Sequence, residues 1–476
     1  MKKKIITFII IFLYFFLLLS HSINAEFMKS KFDNHIISNY FKKMEQLGSV
    51  YDLVVISPKK FVKALQPLEF HKNKVGVKTR IVSLEEVYDK MFWQGRDNAE
   101  KIKYFIKEAA EKWGIKYVLL VGDFRLIPVR YCYNQDDSQW YYEPRFISEL
   151  YYADIYDKNG NFSTWDLDND GVFGEWKLHS EEAEDKYIDL NPDVYVGRLA
   201  CRNVFEVKTV VRKIIRYETK TYGKEWFKRI AVVAGDSFPA DYFNPNWTEY
   251  EGELNTLQIL ENMSDFEHIK LWTSNGNLTG PKDVISTINN GCGFIYLEGH
   301  SVPVRWMTHP PNDMKWVLGL STFTMNFLSN KDMLPVCVVF GCHISQFDVN
   351  IKKLLENHIT QLTWVPECFS WKLTKKVGGG SIATIGCTGF GMAKEDKDSF
   401  EEAGECLNKQ FFYEYGLKKT DILGELWGKT ISNYLNKYPI DWNTQGAGDY
   451  AIDAKTVQQW VILGDPSLKI GGYCEY

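Results

Sequence analysis

The sequence has 476 residues, of which 45% are hydrophobic and 25% charged, and its formal net charge is −5. This composition is typical of a globular protein with a large core, and at roughly 150 residues per domain it predicts two or three structural units. The mild acidity, without a long basic run after the first residues, argues against nucleic acid as a partner.

The first 25 residues resemble a secretory signal peptide in plan. Three lysines precede an apolar stretch at 5–19, and a polar segment then ends at Ala25. We expect cleavage after Ala25, a secreted or extracytoplasmic mature chain, and no contact with a membrane beyond this leader. An uncleaved anchor is the alternative, although the stretch is shorter than the about 20 residues of a bilayer span. Residues 26–49 are then a short N-terminal segment.

Strand and helix patterns alternate over residues 50–190, which we expect to form an N-terminal α/β subdomain. In chain order the segments are YDLVVISP, FVKALQPLEFHKN, KTRIVSLEEVY, NAEKIKYFIKEAAEKWG and YVLLVGD. Apolar runs that alternate with amphipathic helices predict a βαβαβ unit with a parallel sheet. A loop-rich stretch extends from about Tyr131 to Leu190.

The alternation resumes over residues 191–476, the expected catalytic subdomain. The segments are DVYVGRLAC, NVFEVKTVVRKIIRYETKTY, RIAVVAGD, NTLQILENM, HIKLWTS, GPKDVISTINNG, FIYLEGH, LPVCVVFGC, GGGSIATIGCTG and WVILGDPSLKIGG. The glycines of VGGGSIATIG precede a strand, whereas a dinucleotide loop needs them between strand and helix. We therefore expect no organic cofactor.

Two apolar runs of the second half end in the same way. FIYLEGH stops at Gly299 and is followed by His300, while LPVCVVFGC stops at Gly341 and is followed by Cys342. In open α/β sheets the chemistry collects at the carboxyl ends of the strands, so neighbouring strands would bring these two side chains together. A thiol beside an imidazole forms a thiolate near neutral pH, which predicts a Cys/His dyad.

Other cysteines and histidines compete for these roles. Nine cysteines are an odd number and too few for a disulfide scaffold, and most lie in apolar runs where cysteine acts as a small hydrophobe. His343 comes directly after Cys342 and would point to the opposite side in an extended chain. His309 lies in the proline-containing loop MTHPPND.

The motifs GFIYLEGHS and LPVCVVFGCHISQFD resemble the His and Cys motifs of the gingipain-like cysteine peptidases, which share a fold with caspases and legumains. The segments PDVYVGRLACRNVFEVKTVVRKIIRYE, GGGSIATIGCTG and VILGDPSLKI resemble the same family, so the likeness covers residues 51–470. It implies a caspase-like three-layer α/β/α fold with mostly parallel sheets and two α/β subdomains. The long prodomain and immunoglobulin-like domain of familiar members are not expected in this sequence.

The resemblance also implies residue roles in a secreted cysteine endopeptidase that acts on proteins or peptides. Cys342 would be the nucleophile that forms an acyl-enzyme, His300 the general acid and base, and the N–H groups of Cys342 and Ser301 the oxyanion donors. Asp193, in NPDVYVGR, takes the place of an acidic residue that orients the histidine. Ser301 stands where the family normally has glycine. The family implies cleavage after basic residues, yet its members differ.

An acidic loop suggests a calcium site. DLDNDGVFGEW places Asp166, Asp168 and Asp170 at alternate positions before a glycine, as in the first half of an EF-hand loop. The twelfth position is Lys177 instead of a glutamate, and Glu175 is the nearest candidate to replace it. We expect a structural Ca²⁺ that pins this loop, and a solvated acidic turn is the alternative.

Two other functions are compatible with the sequence. A serine at position 301, where the family has glycine, is compatible with an inactive peptidase-like binding protein. A thiol probe would label Cys342 in an active peptidase and fail to label it in such a binding protein. A metal site built from His300, Cys342 and His343 is less favoured, because zinc ligands usually come as tight pairs at set spacing. The sequence does not predict the oligomeric state.

Overall fold

The computed structural model describes residues 50–136, 143–239, 250–349, 367–393 and 403–474. The expected leader at 1–25 and the segment at 26–49 lie outside the described residues. Within the described part of the chain, no helix is both long and apolar enough to cross a membrane.

The described residues form fifteen strands. They are β1 (Leu53–Ser57), β2 (Thr79–Ser83), β3 (Tyr117–Val121), β4 (Arg130–Cys132), β5 (Phe146–Ser148), β6 (Tyr195–Leu199), β7 (Arg229–Ala234), β8 (Glu267–Trp272), β9 (Phe294–Leu297), β10 (His300–Val302), β11 (Arg305–Thr308), β12 (Val317–Ser321), β13 (Val336–Val339), β14 (Ala383–Cys387) and β15 (Trp460–Leu463). Ten of the fifteen coincide with the predicted apolar runs, whereas β4, β5, β10, β11 and β12 were not predicted.

Several helices begin and end at residues with clear capping chemistry. The helices are α1 (Lys59–Lys74), α2 (Leu84–Lys90), α3 (Asn98–Trp113), α4 (Val204–Lys220), α5 (Glu251–Asn262), α6 (Pro281–Asn290), α7 (Phe369–Lys375), α8 (Ala403–Gly416), α9 (Leu423–Lys437) and α10 (Asp449–Gln458). The side chains of Asp97 and Asn203 each accept a hydrogen bond from an N–H in the first turn of α3 and α4. Gly114, with φ of +70°, ends α3 in the left-handed region that glycine adopts without strain.

The first sheet is parallel and has the strand order β2-β1-β3-β6. Its central strands β1 and β3 are buried along their whole length, as expected when helices cover both faces. The sheet includes β6, which begins after the subdomain boundary that the sequence analysis places between residues 190 and 191.

The second sheet has the order β15-β14-β13-β9-β7-β8 and is parallel except for β15, which runs antiparallel to β14. Alternate residues of its central strands enter two separate hydrophobic clusters, one on each face. Ile230, Val232, Phe294, Tyr296, Val336 and Val338 pack on one face, and Ala231, Val233, Ile295, Leu297, Cys337 and Val339 on the other. The sheet is therefore the middle layer of three, and the expected α/β class with mostly parallel sheets is confirmed.

The two sheets approach each other at β6 and β15. A Cβ atom on Gly197 of β6 would lie 2.6 Å from the carbonyl oxygen of Gly464, so only glycine permits this approach. From Val50 onward the chain forms one compact unit, and one hydrophobic cluster runs through both sheets. Two smaller antiparallel sheets, β10-β11-β12 and β4-β5, complete the strand pairing of the described residues.

Candidate active site

Three neighbouring parallel strands of the second sheet end at the same level. β9 lies between β7 and β13, with Leu297 paired to Val233 on one side and to Val339 on the other. Three positions beyond these paired residues come three polar side chains, Asp236, His300 and Cys342. Residues at one level beyond adjacent parallel strands are neighbours, because the strands lie about 4.8 Å apart. The two residues of the predicted dyad therefore share one edge of the sheet.

A glycine precedes each of these three residues, and tight packing explains its presence. A Cβ on Gly235 would lie 2.3 Å from the carbonyl oxygen of His309, and one on Gly341 would lie 2.5 Å from Ser301 Oγ. Gly299 and Gly341 also have φ values of +156° and +145°, which side chains rarely allow. The backbone at the sheet edge thus requires glycine where each apolar run stops.

His300 is half-buried between two aromatic rings. The ring centroids of Phe238 and Trp316 each lie 5.4 Å from that of His300. Nε2 of His300 lies 2.7 Å from the carbonyl oxygen of Ser237. A carbonyl only accepts, so Nε2 carries the hydrogen of the neutral ring and Nδ1 is the basic nitrogen. Nδ1 is therefore the atom that can take up a proton.

Burial decides the protonation states of the two candidate residues. Burial lowers the pKa of His300 below its usual 6.5, although the Ser237 carbonyl acts in the opposite direction. Burial raises the pKa of the Cys342 thiol to about 11, against the opposing effect of the Gly391 N–H. Burial therefore favours the uncharged form of each group at neutral pH. This effect opposes the thiolate that the sequence leads us to expect, because burial disfavours both charged forms.

The turn that carries Cys342 packs against residues 387–391, at the end of β14 and beyond it. The thiol of Cys387 donates a hydrogen bond to the carbonyl oxygen of Gly341 at 2.8 Å. The N–H of His343 donates to the carbonyl oxygen of Gly389 at 2.7 Å. Backbone and side chain of this segment together hold the turn in place.

Ser301 contacts the same turn from β10. Its side chain is buried, and its hydroxyl donates to the backbone carbonyl oxygen of Cys342 at 2.6 Å. Ser301 and Cys342, whose N–H groups are the expected oxyanion donors, are therefore in direct contact.

His343 is part of a buried charge cluster. Its Nε2 lies 3.4 Å from Glu143 Oε1, and its ring centroid lies 4.9 Å from that of Phe390. Lys455 Nζ lies 2.8 Å from Glu143 Oε2. Burial would raise the pKa of Glu143, but Lys455 and His343 outweigh it and the pKa falls below its usual value. His343 thus has acidic and aromatic neighbours of its own. Its φ of +57° places it in a turn, whereas the expectation from the sequence assumed an extended chain.

Asp236 lies at the level of His300 and Cys342 and was not predicted from the sequence. It directly precedes Ser237, which binds His300, and its Oδ2 accepts the N–H of Asn312 at 2.8 Å. Its own N–H donates to the carbonyl oxygen of His309 at 3.0 Å. The pattern in RIAVVAGD, an apolar run and a glycine before a polar residue, is that of the runs that end at His300 and Cys342, and it could have identified Asp236.

Asp193 lies in a different environment from the one the resemblance implies. Its Oδ2 accepts hydrogen bonds from the N–H groups of Ile155 and Tyr156, at 2.7 and 3.0 Å. Burial raises the pKa of Asp193, and these two N–H groups, together with Lys103, offset this effect only in part. These contacts join the segment before β6 to residues 155 and 156. Nε2 of His300, in contrast, binds the carbonyl oxygen of Ser237. We therefore do not assign the orientation of His300 to Asp193.

The acidic loop brings its carboxylates together. Oxygen atoms of Asp168, Asp170 and Glu175 lie within 4.8 Å of one another, and so do those of Asp166, Asp168 and Asp185. Asp185 was not predicted as a ligand, because it is ten residues beyond Glu175 and outside the EF-hand spacing. Burial raises the pKa of Asp185 to about 7.

Two cations already contact this carboxylate group. Arg96 Nη1 lies 2.6 Å from Asp166 Oδ2, and Lys177 Nζ lies 3.1 Å from Glu175 Oε1. Oxygen ligands from several carboxylates are what Ca²⁺ prefers, so the residues present fit a calcium ion. An ion bound there would compete with Lys177 for Glu175.

The sequence model of peptidase family C25 matches residues 46–471. Gingipain R2 of Porphyromonas gingivalis (strain ATCC BAA-308 / W83) is 22% identical over 450 residues, which are 93% of this chain and 48% of that protein. An uncharacterized protein of Archaeoglobus fulgidus is 24% identical over 385 residues, covering 75% of this chain and 80% of its own length. The chain thus spans about half the length of the gingipain R2 that it matches.

Solved structures agree on the fold. The crystal structure of the Arg specific cysteine proteinase gingipain R (RGPB) has a TM-score of 0.61 at 18% identity, covering 88% of this chain and 78% of its own. The complex of Porphyromonas gingivalis RgpB pro- and mature domains has a TM-score of 0.59 at 19% identity, covering 88% and 79%. The expected caspase-like α/β fold is confirmed.

Proposed function

Because the chain belongs to peptidase family C25, we propose that it is a cysteine endopeptidase in which Cys342 is the nucleophile and His300 transfers the proton. The observation that carries this proposal is the common level of the two residues beyond the adjacent strands β9 and β13. Family membership supports cysteine peptidase chemistry independently of this geometry.

The first half of the reaction forms the acyl-enzyme. Nδ1 of His300 accepts the thiol proton while the sulfur of Cys342 attacks the peptide carbonyl carbon. The N–H groups of Cys342 and Ser301 stabilise the oxyanion of the tetrahedral intermediate. Protonated His300 then gives its proton to the leaving amine, and the C–N bond breaks.

The second half regenerates the enzyme. His300, neutral again, accepts a proton from a water molecule that attacks the thioester carbonyl carbon. Collapse of this intermediate breaks the C–S bond and releases the carboxylic acid, and His300 returns the proton to the sulfur of Cys342.

The test is to make Cys342→Ala and His300→Ala separately and together. Each single change is expected to lower peptide cleavage by about 10³-fold or more, and the double change to add little, since members of one catalytic unit are not additive. Cleavage of fluorogenic peptides measures the effect, and thermal melting checks that each variant folds.

Cys337→Ala is the matched control, because Cys337 lies on β13, the strand that precedes Cys342, is fully buried and belongs to the core. This variant is expected to keep the parent rate once folded. Parent-level cleavage by Cys342→Ala would overturn the proposal. Folded parent protein that cleaves no peptide and whose Cys342 resists thiol probes would favour the binding-protein alternative.

The substrates are proposed to be proteins or peptides cut after basic residues. The name of one structural neighbour describes it as Arg specific, and one curated relative is named Lys-gingipain W83. Digestion of a peptide library by the purified protein would reveal the residue before the cleaved bond. A preference for a non-basic residue at that position would overturn this part of the proposal.

Two further proposals concern the N-terminal residues and the acidic loop. The N-terminal residues support export, with the mature chain beginning near Glu26, and terminal sequencing of exported protein would test this. The carboxylates of Asp166, Asp168, Asp170 and Glu175, together with Asp185, support a structural Ca²⁺.

A further inference from the structure

Two side chains hold the peptide groups on either side of Cys342. The thiol of Cys387 donates to the carbonyl oxygen of Gly341 at 2.8 Å, in the peptide that precedes Cys342. The hydroxyl of Ser301 donates to the carbonyl oxygen of Cys342 at 2.6 Å, in the peptide on its other side. Both side chains are buried, and they come from different strands, β14 and β10.

The turn needs such support because its backbone is strained. Gly341 has φ of +145°, and His343 has φ of +57°, so positive φ values flank Cys342 on both sides. A non-glycine residue at positive φ costs free energy that surrounding contacts must offset. Hydrogen bonds from neighbouring strands supply those contacts.

The hydrogen bond to Gly341 determines where the N–H of Cys342 points. In a trans peptide the carbonyl and the N–H of the next residue point in opposite directions. The Cys387 thiol therefore directs the N–H of Cys342 to the opposite side of that peptide. The next peptide group joins Cys342 to His343 and is held on both sides. Its carbonyl oxygen accepts a hydrogen bond from Ser301, and its N–H donates to the carbonyl oxygen of Gly389.

We propose that Cys387 and Ser301 are positioning residues that aim the backbone N–H of Cys342 at the oxyanion. The inference rests on the proposed peptidase function and adds two residues to it. Neither side chain touches the reacting atoms. Both act through the backbone on which the nucleophile is carried.

The chemistry of Cys387 suits a permanent donor. Its side chain is fully buried, and its sulfur also lies 3.2 Å from the carbonyl oxygen of Gly389. Burial raises the pKa of this thiol well above its usual value, so it keeps its hydrogen at neutral pH. A permanently protonated thiol between two carbonyl groups can donate but does not compete as a nucleophile.

Ser301 and Gly341 are complementary in size. A Cβ at position 341 would lie 2.5 Å from Ser301 Oγ and 2.9 Å from its Cβ. The serine side chain thus occupies space that a side chain at 341 would need. The family normally has glycine at position 301. Here the absence of a side chain at Gly341 leaves room for Ser301, whose hydroxyl gains a hydrogen bond to the carbonyl oxygen of Cys342.

The experiment compares Cys387→Ala with Cys387→Ser. Loss of the donor is expected to lower kcat about tenfold or more with KM within about twofold, since a lost oxyanion donor costs about 10²–10³-fold and a misaimed one costs part of that. The serine hydroxyl restores a donor, so Cys387→Ser is expected to keep kcat within about threefold of the parent. Ser301→Ala is expected to behave like Cys387→Ala.

Cys132 supplies the matched control. It is also fully buried, lies on β4, and its sulfur donates to the carbonyl oxygen of Gly174 at 3.4 Å. Cys132→Ala removes the same atom from the same kind of environment, and it is expected to lose stability to a similar extent while kcat stays at the parent value.

A second readout separates positioning from a general disturbance of the site. Alkylation of Cys342 by iodoacetamide forms no oxyanion, so its rate is expected to stay within about twofold in Cys387→Ala and Ser301→Ala. Parent-level kcat in both alanine variants would overturn the inference, and so would an alkylation rate that falls in step with kcat. A parent protein that cleaves no peptide would instead overturn the proposed function, and this inference with it.

Discussion

Burial favours the uncharged forms of Cys342 and His300 at neutral pH, which affects how the first bond can form. Burial raises the pKa of the thiol to about 11 and lowers that of the imidazole below 6.5. Burial therefore disfavours an ion pair formed in advance, and we expect the proton to move while the sulfur attacks. The Ser237 carbonyl fixes the ring so that Nδ1 is the acceptor. In the proposed mechanism, the basicity of His300 is therefore expected to limit activity on the acid side.

This assignment predicts the pH profile of kcat/KM. His300 must be neutral to accept a proton, and its pKa is lowered, so activity should fall with decreasing pH only at a midpoint below 6.5. On the alkaline side no loss is expected until the pH approaches the thiol pKa of about 11. Initial rates across the acid, neutral and alkaline ranges provide the measurement. An acid limb centred above neutral pH would contradict the neutral pair.

Residues that come directly after a glycine at a strand end were predictable from the sequence, whereas contacts between distant residues were not. His300 and Cys342 were recognisable because each comes after an apolar run and a glycine. Asp236 has the same pattern, yet the resemblance pointed to Asp193, whose carboxylate binds backbone N–H groups. The contact between Cys387 and Gly341 joins residues 46 positions apart, and no local pattern reveals it.

The acidic loop is the element whose order is expected to depend on an ion. Its carboxylates repel one another, and Arg96 and Lys177 neutralise them only in part. A Ca²⁺ bound there would stabilise the folded state by mass action. We expect Ca²⁺ to raise the melting temperature and a chelator to lower it, as measured by a thermal shift. Identical melting curves in Ca²⁺ and in chelator would favour the solvated acidic turn.

A pair of variants localises the effect to this loop. Asp168 belongs to both carboxylate groups, and its Oδ1 accepts the N–H of Asp170. Asp168→Asn keeps an acceptor oxygen and removes the charge, so the response to Ca²⁺ is expected to disappear. Asp157 provides the control, because it is a surface carboxylate with comparable backbone contacts at Asn159 and Asn161. Asp157→Asn is expected to keep the full response.

Most individual strands and helices were predictable, and the order of strands in the sheets was not. Apolar runs identified β1, β3, β7, β9 and β13, because parallel strands buried on both faces need continuous apolar residues. The pairing of β9 with both β7 and β13 is a long-range property. The place of β6 in the first sheet depends on its register with β3, which composition does not encode.

At the scale of the whole molecule, a buried ion network links the two halves of the described chain. Lys72 of α1 lies 2.7 Å from Glu218 of α4 and 2.8 Å from Asp465, which lies just beyond β15. His71 Nε2 lies 2.7 Å from the other oxygen of Glu218. Burial alone would lower the pKa of Lys72, but the two carboxylates outweigh it and hold the lysine charged. One cation thus joins a helix of the first sheet to the end of the second.

Replacement of this lysine tests how strongly the two sheets depend on each other. Lys72→Met keeps the volume but leaves Glu218 and Asp465 buried without their cation, which is expected to lower the free energy of unfolding by about 3–5 kcal/mol. Lys419→Met is the control, because Lys419 pairs with Asp265 where both side chains are 64% exposed, and water screens that pair. Urea titration followed by tryptophan fluorescence measures both variants. If Lys72→Met proved as stable as Lys419→Met, the link between the sheets would rest on apolar contact across β6 and β15. If Lys72→Met instead unfolded in two transitions where the parent unfolds in one, the cooperative unfolding of the two sheets would depend on the buried cation.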